Sequence, residues 1–211
     1  MIKKSISIII ILTSITIYSF AGENKYFAPL PRAHSGTETL SDAGILYALH
    51  WAGYIIEFKV IRDWGGNFET YKANLFLKNI QWWDGDSFWY NFVGHPYVGS
   101  QTYLYYRGRG YSRLESFAGS FTASFLFEST IEIMHEPFSF NDAVITPTFG
   151  FVLGNWIEKT SLRFINSSSK LKKAVARIIN PSLNFKFYEG VSIIPILSNK
   201  MSGCMFVCML R

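Results

Sequence analysis

The sequence predicts a mainly α-helical protein: a compact helical bundle around a central antiparallel helical hairpin. Three observations lead there. Helix-start signals recur along the chain, in Pro96, in the S-x-x-E of Ser112 to Glu115 and in the S-x-x-D of Ser139 to Asp142. Helix-stop signals follow them, in Gly108 and Gly110, in Pro137 and in Asn180-Pro181. Small residues also recur every four positions, as Ser116, Ser120 and Ser124, as Gly119 and Ala123, and as Gly150 and Gly154, which lets helix backbones approach closely.

The elements follow in order. Lys3 and Lys4 precede the 13 largely apolar residues Ile6 to Tyr18, and Ser19-Phe20-Ala21 supplies small residues for cleavage, so residues 1–21 read as a signal peptide. Residues 22–40, with Pro29 and Pro31, form an extended entry segment, and 41–180 a helical domain. Ser41 caps its first helix, which runs to about Arg62 with Asp42 at the positive N-terminal end. Asp63 to Trp83 suits either helix or strand, and Asp84-Gly85-Asp86 is a turn.

The hairpin comes next, with one helix from about Tyr97 to Arg107 and a second from Ser112 to about His135 or Glu136. Thr146-Pro147 starts a further helix, and Ser167 to Ile178 a basic one. The tail, 181–211, is β-like or irregular. Its alternation around Glu189-Gly190 marks a short β-hairpin or the first strand of something longer, and its apolar end resembles a cut-short reading frame.

Composition narrows the function classes. Hydrophobic residues are 49%, aromatics 18% and charged residues 17% of the 211, an apolar excess that a membrane, a partner or an assembly would cover. The formal charge of +5 falls to +3 once Lys3 and Lys4 leave with the leader, too little to argue for nucleic acid. Cys204 and Cys208 lie together in the tail, so no disulfide framework spans the fold. There is no H-E-x-x-H, G-x-S-x-G or phosphate-cradling glycine loop.

Chemistry concentrates in the hairpin. Glu128, Glu132 and His135 lie at i, i+4 and i+7, on one face of a continuous helix. Two carboxylates one turn apart in apolar surroundings share a proton, bind a cation or pair with histidine. Folding back at Gly110 sets His95 level with Ser124 to Glu128, so an imidazole meets the acidic stripe. His95, Glu128 and Glu132 are candidate catalytic residues, and with His135 they are candidate ligands of a divalent metal. The alternative is a structural polar network that fixes helix packing. Arg107, Arg109 and Arg113 cluster at the opposite, loop end, to meet phosphate head groups or water. His34 and His50 read as structural.

The run W-D-G-D-S-F-W-Y-N-F-V-G-H-P, followed by E-S-T-I-E-I-M-H-E-P and T-P-T-F-G-F-V-L-G, resembles the bacterial family called domain of unknown function 3943, over about residues 82–156. Its motif positions coincide here with Asp84, Gly85, Asp86, Asn91, Gly94, His95, Pro96, Gly99, Arg107, Glu128, Glu132, Glu136, Pro137, Ser139, Asp142, Thr146, Pro147, Gly150 and Gly154. Phe127, Phe138 and Asn155 depart from the family's tryptophan, proline and acid. The resemblance implies an exported envelope protein, adds Asn91, Arg107, Glu136, Ser139, Asp142 and Thr146 to the polar network, and supplies no reaction. The expected function is therefore a membrane-associated structural or assembly module of the envelope, in the periplasm or outer membrane of a Gram-negative cell, with membrane lipid or outer-membrane proteins as partners. The alternative is a metal-dependent or acid–base hydrolase or transferase acting on an envelope lipid.

Overall fold

The computed structural model of the chain describes residues 31–56, 67–76, 80–83, 86–185, 191–198 and 201–208. Residues 1–21, read above as a signal peptide, the far end of the first predicted helix, Asp84-Gly85 and Glu189-Gly190, read as a turn, lie outside the described residues. The fold is mainly helical, as expected.

Helix α1 spans Gly36–Tyr54, so it starts within the segment read as extended. Ser35, not Ser41, is its cap: Ser35 and Glu38 make both halves of a capping box, satisfying two end N–H groups that Ser41 could serve only singly. Asp42 is consequently not an end charge. It is buried beneath Arg109, whose Nε lies 2.8 Å from Oδ1, and beneath the Tyr111 hydroxyl, which donates to Oδ2 at 3.0 Å.

Helix α2, Phe68–Phe76, settles part of the ambiguous stretch as helix. The chain at Gln81 then runs beside residues 138–140, donating to the Phe138 carbonyl at 3.0 Å and accepting from the Phe140 N–H at 2.9 Å.

The hairpin helices are α3, His95–Gly108, and α4, Arg113–Leu126, with Ser112 and Glu115 forming the expected box. Gly110, at φ +90°, makes the turn between them, a conformation open to glycine at no steric cost. Helix α4 stops nine residues before the predicted His135. A wider π turn at Phe127–Ile131 and a 3₁₀ turn at Glu132–Met134 take over. A second π turn, Tyr90–Gly94, leads into α3, closed by the His95 N–H on the Tyr90 carbonyl.

Helix α5 runs unbroken from Phe140 to Ile165. Thr146-Pro147 therefore sits inside this helix instead of opening it. Ser139, whose Oγ accepts from the Asp142 N–H at 3.3 Å, already starts the helix, and Pro147 forgoes one bond while packing fully buried. Helix α6, Lys170–Ile179, is capped by Ser169. Strand β1, Val191–Ser198, pairs antiparallel with β2, Met201–Cys208; both lie beyond Glu189-Gly190.

Helices α3 and α5 cross at backbone contact. A Cβ placed on Gly99 would stand 1.9 Å from the Thr146 carbonyl oxygen, and one on Gly150 would stand 2.5 Å from the Gly99 carbonyl carbon. The serine line of α4 closes the third side: Ser116, Ser120 and Ser124 are buried, and Ser120 Oγ donates to the Gly99 carbonyl at 3.3 Å. Tyr103, Leu104 and Ile157 fill the adjoining core.

At the far end, Arg107 and Arg109 are internal, contrary to the surface cluster expected. Arg107 Nε donates to Glu158 Oε1 at 2.9 Å, with both side chains buried. Of the three arginines only Arg113 is exposed. The pairing follows from cost: a guanidinium carried into the interior by the short turn must find a carboxylate.

Helix α1 lies over the π turn, where Tyr47 Oη and Thr130 Oγ1 are 2.7 Å apart and the His50 ring stands 5.6 Å from Phe127. Burial pushes the His50 imidazole down to about 4. Below the ordinary histidine range the unfolded chain gains a proton that folded His50 refuses, so stability falls as pH drops from about 6.5 toward 4. His50→Phe is expected to flatten that loss by about 2 kcal/mol, after allowance for partial exposure, in denaturant melts from pH 7 down to 4.

Candidate functional site

The groups with chemistry collect where four short segments meet: the chain at Asp86, the start of α3, the π and 3₁₀ turns after α4, and the start of α5. His95 leads off α3, and its side chain is 11% exposed. Its Nε2 lies 3.6 Å from Asp142 Oδ1 and 3.9 Å from Asp86 Oδ2. The Tyr90 ring covers it edge-on, with centroids 5.5 Å apart.

Burial opposes the charged imidazole, yet the neighbouring carboxylates of Asp86, Asp142 and Glu128 outweigh it and raise the His95 pKa.

Asp142 is held from all sides. Its backbone N–H donates to Ser139 Oγ, its carbonyl accepts from Ser124 Oγ at 3.3 Å, and Oδ1 accepts from Asn141 Nδ2 at 3.3 Å. Asn141 also donates to Asn91 Oδ1 at 3.4 Å, while Asn91 Nδ2 donates to the Asp86 carbonyl at 3.2 Å. Asn91, fully buried, thereby anchors the loop that presents Asp86.

Glu128 is carried inward by the π turn, and its Oε2 accepts from the Ser139 N–H at 3.3 Å. The Glu132 side chain adjoins that of Glu128. Its own burial comes first, with the negative charges of Glu128, Glu136 and Asp142 behind it, and together they raise the Glu132 pKa well above the usual carboxyl range. Two adjoining buried acids of this kind share a proton or take up a cation.

The four candidates are brought into one line and not onto one helical face. His95 feels Glu128, Glu128 meets Glu132, and His135 lies at the other end, with Nε2 3.0 Å from Glu136 Oε1 and its ring 5.8 Å from Tyr54. The i, i+4, i+7 count assumed an α-helix throughout. The wider and then tighter turns change the angle per residue, so that count does not hold here.

Of the wider network, Asn91, Ser139 and Asp142 join His95, and Glu136 joins His135. Arg107 does not take part, being paired with Glu158 at the far end of α3. Thr146 instead contributes its carbonyl to the Gly99 crossing. Sequence reasoning gave Asp86 only a turn role and overlooked Asn141 and Glu158. An aspartate nine residues before the histidine of G-H-P was the available signal for the first.

Residues 81–182 match the family model described as Domain of unknown function (DUF3943). Comparison with curated proteins and with solved structures returns no match.

Proposed function

The chain carries a DUF3943 domain across residues 81–182, and from that premise we propose that it is a non-catalytic helical module of the cell envelope, exported and seated against a membrane. A histidine–carboxylate clasp sets its packing. The observation that carries this reading is the commitment of His95: the imidazole is buried and held between Asp86 and Asp142, tying the 86–94 loop, α3 and α5 together.

The outer surface supports membrane seating. Trp82 is 80% and Trp89 73% exposed, and Phe88, Phe149, Val152 and Trp156 are exposed as well. Aromatic side chains left at the surface suit the interfacial region of a bilayer. Among the described residues no helix is long and apolar enough to cross a membrane, so contact is made by surface. Outer-membrane proteins are the other partners this surface suits.

His95→Ala is expected to cost about 2–4 kcal/mol, because it strands the buried Asp142 charge. The sign with pH is definite. A raised folded pKa means the His95 contribution is fully present below about pH 6.5 and is lost as pH rises through the folded value. The gap in stability between the wild type and His95→Gln should therefore narrow from pH 6 to pH 9 in denaturant melts. Equal melting of wild type and His95→Ala at pH 6 would remove the clasp. Recovery of the mature chain from the cytoplasmic fraction would remove the envelope assignment.

A second reading has one observation in its favour: Glu132 Oε2 is buried and no hydrogen bond reaches it, beside a second carboxyl at Glu128. An acid–base or metal-dependent hydrolase or transferase acting on an envelope lipid would use Glu128 or His95 as base and Glu132 as its partner. Folded His95→Gln and Glu128→Gln proteins that lose turnover of an envelope phospholipid would establish it. Absence of turnover by the wild type would dismiss it.

A further inference from the structure

Glu132, His135 and Glu136 form a centre that the clasp does not use. One ligand atom from each lies within 4.8 Å of the others. A single tight turn gathers them: the Glu132 carbonyl accepts from the His135 N–H at 2.8 Å and from the Glu136 N–H at 3.1 Å. Acidic groups often gather without an ion, so the cluster alone says little. The independent observation is Glu132 itself, which is 6% exposed while its Oε2 meets no hydrogen-bond donor. Leaving a buried oxygen this way is unfavourable, and a cation at the cluster would remove that cost.

We propose that Glu132, His135 and Glu136 bind one divalent transition-metal ion. An imidazole with two carboxylates suits zinc, manganese or iron(II) better than the all-oxygen ions calcium and magnesium. Glu-x-x-His is also the spacing by which carboxylate-rich helical bundles offer two ligands to a metal, and here a 3₁₀ turn produces the same convergence. Ligand bonds of about 2.0–2.2 Å set donor atoms roughly 3.5 Å apart, so the side chains close by about 1 Å on binding. Glu136 is 28% exposed, which makes its side the route of entry and leaves a coordination position for water.

This centre stands independently of the His95 clasp, and the test separates them. The purified mature chain, stripped with a chelator, is titrated with ZnCl₂ and MnCl₂ by calorimetry, with melting followed in parallel. One saturable ion per chain and a higher melting temperature are expected for at least one metal. Glu136→Gln, a change at a partly exposed group, should melt like the metal-free wild type and bind roughly tenfold or more weakly. Glu132→Gln and His135→Gln should weaken binding likewise, whereas His95→Gln should keep the stoichiometry. Absence of saturable binding of either metal, or equal binding by wild type and Glu136→Gln, overturns the proposal.

Discussion

Gly99→Ala is expected to destabilise the protein by about 3 kcal/mol or more, seen as a fall in melting temperature of about 6–12 °C or as failure to fold. The new methyl would stand 1.9 Å from the Thr146 carbonyl oxygen, and that oxygen belongs to a helix backbone that cannot rotate aside. Relief requires α3 and α5 to separate, which would open the contacts of Tyr103 and Leu104 with Ile157. Gly150→Ala should behave alike, since its methyl would meet the Gly99 backbone at 2.5 Å. Gly53→Ala is the control: nothing lies within 4 Å of a Cβ there, and inside a helix the change should stabilise by about 0.5–1 kcal/mol. Similar melting of the Gly99→Ala and Gly53→Ala proteins would contradict the crossing described.

The second large effect concerns Arg107 and Glu158. Glu158→Leu alone should cost about 3–5 kcal/mol, because it leaves a guanidinium in the interior without its carboxylate. Arg107→Met with Glu158→Leu should recover at least half of that loss in the same urea melts, since the uncompensated charge goes with the pair. Recovery should be incomplete, because Arg107 Nη1 also donates to the Tyr111 carbonyl, which the double variant leaves without that donor. A double variant no more stable than Glu158→Leu would show that the cost lies in packing and not in charge.

Much of the fold was legible because it is written in local chemistry. Ser112 with Glu115, Ser139 with Asp142, and Pro96 each act within one turn, and each sits at a helix start in the structure. The approach of His95 toward Glu128 followed from counting equal lengths on either side of Gly110. What escaped was either non-local or not periodic. Arg107 and Glu158 are 51 residues apart, and nothing near either names the other. Thr146-Pro147 carries a valid start signal that the already running α5 overrides. The π turns leave no mark in an apolar pattern, so the end of α4 and the position of His135 could not be read from spacing.

The two π turns have a consequence for how this chain can change. Each holds a helix open by one extra residue, immediately before His95 in one case and around Glu128 in the other. A π turn takes up one extra residue within a helix, so losing a single residue from 127–131 would let regular winding resume with the chain after it little displaced, but without the bulge that carries Glu128 inward. Substitutions in these turns alter one side chain at a time, whereas a change of length removes the bulge itself and with it the inward placement of Glu128: this stretch is specified by its residue count as well as by its residue types.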